Sequence, residues 1–140
     1  MKLSQAANRV IELARSIREY YAAELPKRHP NYPLVGADEE SAPPPPEEIE
    51  LRHFLEELPD EFVYQLALLM YLGRGDFAAD ELAACYDDLK RTFVHPQQAA
   101  SQMIDKAPLA DYLGDGLEAI RQHGIDVDKL PLKKVKVRKQ

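Results

Sequence analysis

The apolar stretch from Phe62 to Gly73, F-V-Y-Q-L-A-L-L-M-Y-L-G, is the strongest constraint on the fold. It contains no charged residue and only one strongly polar residue, Gln65. A helix that crosses a bilayer needs about 20 residues, so this stretch is too short to do so. It is typical of a helix that is apolar around most of its circumference and is therefore buried. We predict that a central helix over residues 59–72 carries the core.

Helical periodicity on both sides of this stretch predicts an all-α fold. Short apolar stripes recur over residues 47–58, over the segment that follows Asp76, and from Pro108 onwards, and 96–105 reads as a further short helix. Their spacing of three and four residues places each stripe on one helix face. No convincing strand alternation precedes the C-terminal tail. We therefore expect a small bundle of five or six short helices around the buried central helix.

Glycines mark the ends and the contacts of these helices. We predict that Gly73 ends the central helix in the left-handed conformation, with Gly75 as a second flexible point. Asp76 is placed to cap the helix that follows. Gly114 and Gly116 lie inside the last helix, where each costs about 1 kcal/mol relative to alanine. They predict either a close approach between helices or a break.

The first helix is predicted over residues 3–25, with Ser4 as its N-cap and Pro26 as its stop. Its apolar seam consists of Leu3, Ala7, Val10, Ala14, Ile17 and Tyr21. The seam indicates either a homodimer or partner contact through residues 3–25, or packing on the helix's own domain. The second interpretation is favoured, because three heptads with two alanines make a weak zipper.

Composition divides the chain into four parts. Residues 1–25 form an N-terminal helical arm, and residues 26–46 form a proline-rich linker that ends in four consecutive prolines. Residues 47–125 form the helical core domain, and residues 126–140 form a basic C-terminal tail. The linker is typical of a stiff polyproline II spacer.

Charge is distributed unevenly along the chain. The net charge is −6, but residues 1–132 carry 13 basic and 24 acidic residues, a net of −11. The tail holds the other five cations: Lys133, Lys134, Lys136, Arg138 and Lys139. These cations could contact the phosphates of a nucleic acid. The tail could also lie on the acidic surface of its own body or of a second copy, or be disordered. We favour these interpretations over nucleic-acid binding, because the acidic body repels a polyanion.

The remaining sequence features point away from several classes of function. The single cysteine, Cys85, gives no internal disulfide, and the first ten residues lack the apolar run of a signal peptide, so we expect a cytoplasmic protein without membrane contact. The four histidines are scattered, and no H-E-x-x-H, G-x-S-x-G or phosphate-loop motif occurs. We therefore predict no metal site, no cofactor and no catalytic residues.

Two short motifs carry a resemblance to a known family. The segment L-A-L-L-M-Y-L-G-R-G-D-F includes Gly73 to Asp76, and P-L-A-D-Y-L-G-D-G-L includes Pro108, Tyr112, Leu113, Gly116 and Leu117. Together they resemble an uncharacterised bacterial family, domain of unknown function 3775, over roughly residues 51–120. The resemblance implies a fold and its boundaries but no reaction.

Arg74 and Asp76 form the candidate surface, with Tyr112 as a predicted neighbour. An arginine on a glycine-flanked loop can bind a carboxylate or phosphate, although a cap and a local ion pair also explain the two residues. The leading hypothesis is a non-enzymatic protein-interaction module that self-associates or binds an unknown protein. The alternative is a nucleic-acid-associated accessory protein that acts through Lys133–Lys139, and a small enzyme is a third.

Overall fold

The computed structural model describes residues 1–28, 44–106 and 108–130, and in that part of the chain it confirms the all-α prediction with six α-helices and no strand. The helices are α1 (Leu3–Arg28), α2 (Pro46–Glu57), α3 (Asp60–Arg74), α4 (Leu82–Thr92), α5 (Pro96–Ile104) and α6 (Leu109–Gln122). Single 3₁₀ turns occur at Ala79–Glu81 and Val127–Lys129. The predicted linker lies largely outside the described residues, as do the last ten residues.

Helix α3 is the centre of the bundle. Nine of its residues are buried, and the stretch from Val63 to Met70 is buried without interruption. The helix starts after Pro59, with Asp60 and Glu61 in the first turn, where negative charge suits the helix dipole. It contacts α6 most extensively, and α1, α4 and α5 cover its other sides. The predicted central helix is therefore present and extends two residues further, to Arg74.

Helix α1 packs on the same chain rather than standing apart from it. Its seam residues Leu3, Ala7 and Val10 are at most 3% exposed, and the helix contacts α2, α3 and α6. Arg18 forms a two-pronged ion pair with Asp111 on α6, at 2.9 and 3.1 Å. These intramolecular contacts use the same apolar seam that could otherwise have formed a homodimer.

Helix α1 starts at Leu3 as predicted, but its N-terminal capping and its C-terminal end differ from the prediction. The helix continues to Arg28, past Pro26 in its last turn. Ser4 is not the N-cap but lies inside the first turn. Its backbone N–H and its hydroxyl donate to the carboxylate of Asp128, at 2.8 and 3.1 Å. A carboxylate 124 residues away thus satisfies a free N–H group at this helix end, which pattern reading along the chain does not detect.

Candidate functional site

The two sequence motifs meet where α3 crosses α6. A Cβ added to Gly73 would lie 1.7 Å from the carbonyl oxygen of Tyr112, and one added to Gly116 would lie 2.2 Å from that of Leu69. Only glycine allows backbones to approach this closely. A Cβ added to Gly114 would meet nothing within 4 Å. The prediction of close approach therefore applies to Gly116 and not to Gly114.

Gly75, not Gly73, ends the central helix. It has φ of 92°, and its N–H donates to the carbonyl of Leu72 at 3.0 Å, while the N–H of Asp76 donates to that of Tyr71 at 3.0 Å. These two bonds form a Schellman motif, which satisfies the last free carbonyls of a helix. The prediction for Gly73 was wrong because that glycine serves the crossing with α6, and the chain turns two residues later.

Arg74 and Asp76 lie on either side of this turn and bind each other. Arg74 Nη2 donates to Asp76 Oδ2 at 2.6 Å, and Nε lies 3.2 Å from both carboxylate oxygens. The guanidinium also lies over the ring of Tyr71, 5.0 Å from its centroid. The hydrogen bond with Asp76 is the main cause that raises the pKa of Arg74, and Tyr71 and Tyr112 add to it. The pair is held in one geometry but remains more than a third exposed.

Asp76 does not cap the next helix, contrary to the prediction. The 3₁₀ turn begins after Ala78, whose N–H donates to Glu81 Oε1 at 2.8 Å. Glu81 thus supplies the acceptor for this free N–H group, and the carboxylate of Asp76 is left for Arg74.

A groove opens beside this ion pair, between the end of α3 and the outer face of α4. It has a volume of about 290 Å³, and its apolar lining is half-buried, so part of each side chain faces solvent. We call it the α3–α4 groove. Its lining consists of Tyr71, Asp76, Phe77, Cys85, Asp88, Leu89, Thr92 and Phe93.

Polar contacts fix both ends of the α3–α4 groove. Asp76 lies at one end, where it holds Arg74 against Tyr71. At the other end the hydroxyl of Tyr64 on α3 donates to the carbonyl of Phe93 at 2.6 Å. Because these contacts tie α3 to the segments before and after α4, the groove exists before any partner binds.

Carboxylates lie close to the Cys85 thiol in the groove. Burial raises the pKa of the Cys85 thiol, and the carboxylates of Glu81 and Asp88 raise it further. A raised pKa keeps the thiol protonated and unreactive near neutral pH. Asp88 also pairs with Arg91, one turn along α4, on the exposed rim. With their three basic residues counted, residues 74–93 keep a net charge of −2, which favours a cationic ligand over an anionic one.

A second cleft of about 430 Å³ lies between α1, α2 and the turn that joins α5 to α6. Its floor is apolar, with Ile17, Leu51 and Leu109. Most of its polar side chains already have partners within the chain. The hydroxyl of Tyr21 donates to Glu48 at 2.9 Å, and burial is the main cause that raises the pKa of Tyr21 to about 12.

The structure brings the three predicted surface residues into one neighbourhood. Arg74 and Asp76 are bonded, and the half-buried Tyr112 contacts the adjacent Gly73 through its backbone. The five tail cations, Lys133, Lys134, Lys136, Arg138 and Lys139, lie outside the described residues. Sequence reasoning missed the groove itself. Leu89 and Phe93 belong to the apolar stripe that follows Asp76 and pack partly against the core, and Phe77, an aromatic residue after a tight turn, was an available signal for the groove.

The described residues contain no group of three or more His, Cys, Asp or Glu side chains that could hold a metal ion. None of their helices is long and apolar enough to cross a membrane.

Comparison with known proteins identifies the family. The sequence profile described as "Protein of unknown function (DUF3775)" matches residues 48–121, more than half of the chain, from the start of α2 to the end of α6. Neither the curated proteins nor the solved structures gave a match to the chain. The matched range contains both motifs, their crossing and the α3–α4 groove, and the chain belongs to the DUF3775 family.

Proposed function

We propose that this protein is a non-enzymatic protein-interaction module, and that the α3–α4 groove binds a segment of a partner protein that carries apolar and basic side chains. The single observation that carries the proposal is the set of half-buried apolar side chains that line a preformed groove next to a fixed ion pair. Open, shallow apolar grooves with a few placed polar groups are the kind of surface on which peptide segments bind.

The basic character of the partner follows from the charges around the groove. Residues 74–93, which include Arg74 beside the groove, have five acidic and three basic residues, a net of −2. Two of the carboxylates, Asp76 and Asp88, line the groove itself. An incoming lysine or arginine would be attracted to this rim, whereas an acidic segment would be repelled.

This surface supports partner binding better than the seam of α1 does. The seam residues Leu3, Ala7 and Val10 are buried, and α1 packs on α2, α3 and α6. A dimer through that seam would therefore require α1 to detach from its own domain. Self-association through the α3–α4 groove needs no such rearrangement. We therefore place the proposed interaction on the groove and not on residues 3–25.

Selection of peptides from a random display library tests the proposal. The bait is the full chain in which the five cations of residues 133–139 are replaced by glutamine, so that the tail cannot compete. We expect enrichment of peptides that combine large apolar residues with lysine or arginine.

Two groove variants and two matched controls decide where the peptides bind. Leu89→Gln alters the floor, and Asp88→Lys reverses a charge on the exposed rim without touching the core. Ile49→Gln and Glu57→Lys are the controls, since both lie on the exposed surface of α2 outside the groove. We expect the first two to weaken the selected peptides about tenfold or more and the controls to leave them unchanged. Peptides that bind all four variants equally, or no enrichment at all, would refute the proposal.

A further inference from the structure

We propose that in the free protein the α3–α4 groove is occupied in cis by the chain's own C-terminal segment, residues 131–140. The inference rests on the proposed function, because it names the first ligand of the same groove. A partner segment would then bind in competition with the tail.

The tail leaves the folded body from a fixed point on α3. Leu130 is 8% exposed, and its carbonyl accepts a hydrogen bond at 2.9 Å from the side-chain amide of Gln65, itself 3% exposed. The bonds from Ser4 to Asp128 tie down the same C-terminal stretch on its other side. The position from which residue 131 starts is therefore defined by the core.

The groove is within reach of that point. Tyr71, which lines the groove, is six residues beyond Gln65 on α3, about 9 Å along the helix axis and roughly a third of a turn around it. Ten residues can span about 33 Å. A tethered segment that reaches its site so easily has an effective concentration on the order of millimolar, so even a weak intrinsic affinity fills the groove.

The chemistry of the tail complements that of the groove. Residues 133–139 carry five cations and no acidic residue, whereas residues 74–93 have a net charge of −2. Leu132, Val135 and Val137 are interspersed with the cations and supply apolar side chains for the floor. The carboxylates that these cations would meet in the lining are those of Asp76 and Asp88.

Paramagnetic relaxation locates the tail directly. A nitroxide is attached to the variant Gln140→Cys in a Cys85→Ser background, and the backbone amides of the ¹⁵N-labelled full chain are observed. We expect strong broadening of the amides of Phe77 and of residues 85–93, and none along α2. The broadening should weaken as the salt concentration is raised. It should also weaken in the variant whose five tail cations are replaced by glutamine.

A mixed sample separates contact within one chain from contact between copies. Spin-labelled, isotopically unlabelled protein is added to ¹⁵N-labelled protein without the nitroxide. No broadening of groove amides in this mixture, together with broadening in the directly labelled chain, is the expected result. Broadening of the groove amides in the mixture as well as in the directly labelled chain would assign the groove to a second copy and overturn the proposal. Broadening spread over other faces, or none, would overturn it as well.

The same variants keep this inference separate from the proposed function. If the tail occupies the groove, the library-selected peptides should bind the glutamine-tail chain about tenfold more tightly than the natural chain. Equal affinity for both chains would refute tail competition and leave the interaction module in place. Tail contact at the groove without any peptide that binds there would support the inference and refute the proposed partner binding.

Discussion

Two glycines on α6, two residues apart, should respond to alanine in opposite directions. A Cβ at position 116 would lie 2.2 Å from the carbonyl oxygen of Leu69, whereas ordinary contact begins at 3.4 Å. The crossing with α3 must therefore open by about 1.2 Å. At position 114 nothing lies within 4 Å, so alanine adds no contact and only improves helix propensity.

The expected free energies of unfolding follow from these distances. Gly114→Ala should stabilise the protein by about 0.5–1 kcal/mol, the usual gain for this change inside a helix. Gly116→Ala should destabilise it by about 1–3 kcal/mol, because overpacking moves α6 away from the buried face of α3 and weakens dispersion contacts along the crossing. The two variants should thus differ by about 1.5–4 kcal/mol, or on the order of 10 °C in Tm for a chain of this size.

Urea denaturation followed by far-ultraviolet circular dichroism measures both values, and Gly73→Ala provides a second test from the other side of the crossing. Its added Cβ would lie 1.7 Å from the carbonyl oxygen of Tyr112, so it should behave like Gly116→Ala. If Gly116→Ala were as stable as Gly114→Ala, α3 and α6 would not approach as closely as described, and the role assigned to both motifs would be wrong.

Three further predictions concern charged groups. The hydrogen bonds from Ser4 lower the pKa of Asp128, so its stabilisation is present above the unfolded pKa of about 3.9 and is lost as the pH falls through the lower folded value. Asp128→Asn should therefore lower the urea midpoint at neutral pH, with a deficit that shrinks below about pH 4. The exposed Arg74–Asp76 pair should show a coupling free energy below about 1 kcal/mol in a double-mutant cycle. If residues 133–139 instead serve nucleic acid, fluorescence anisotropy should show duplex binding that weakens steeply with salt and disappears with the glutamine tail; we expect no such binding near physiological salt.

Local patterns were sufficient to predict the helices but not how their ends are stabilised. The uncharged run around Val63 to Met70, which continues to Gly73, indicated a buried helix, and helical stripes identified its neighbours. The group that satisfies the N-terminal end of α1 could not be found this way, because the acceptor for the Ser4 N–H is Asp128 at the other end of the chain. Gly73 was misread for the same reason: the requirement for glycine there comes from Tyr112 on another helix, not from the turn.

The candidate site shows the same division between local and tertiary information. A sequence pattern could place Arg74 and Asp76 beside a tight turn, since glycine at 75 makes that turn local. It could not show that the two side chains would neutralise each other, nor that Leu89 and Phe93 would be only half-buried. Both outcomes depend on how far α4 covers the end of α3, which is set by contacts between helices.

The two family motifs therefore act first on geometry. Glycines at 73 and 116 let α3 and α6 approach until backbone meets backbone, and this contact fixes where α3 runs and ends. Gly75 then reverses the chain within one residue, with φ of 92°, so that Phe77 joins Tyr71 in one lining. Arg74 is the only charged residue between Glu61 and Asp76, and its pairing with Asp76 closes the end of the groove. The motif that positions the central helix thus also shapes the half-open α3–α4 groove beside it.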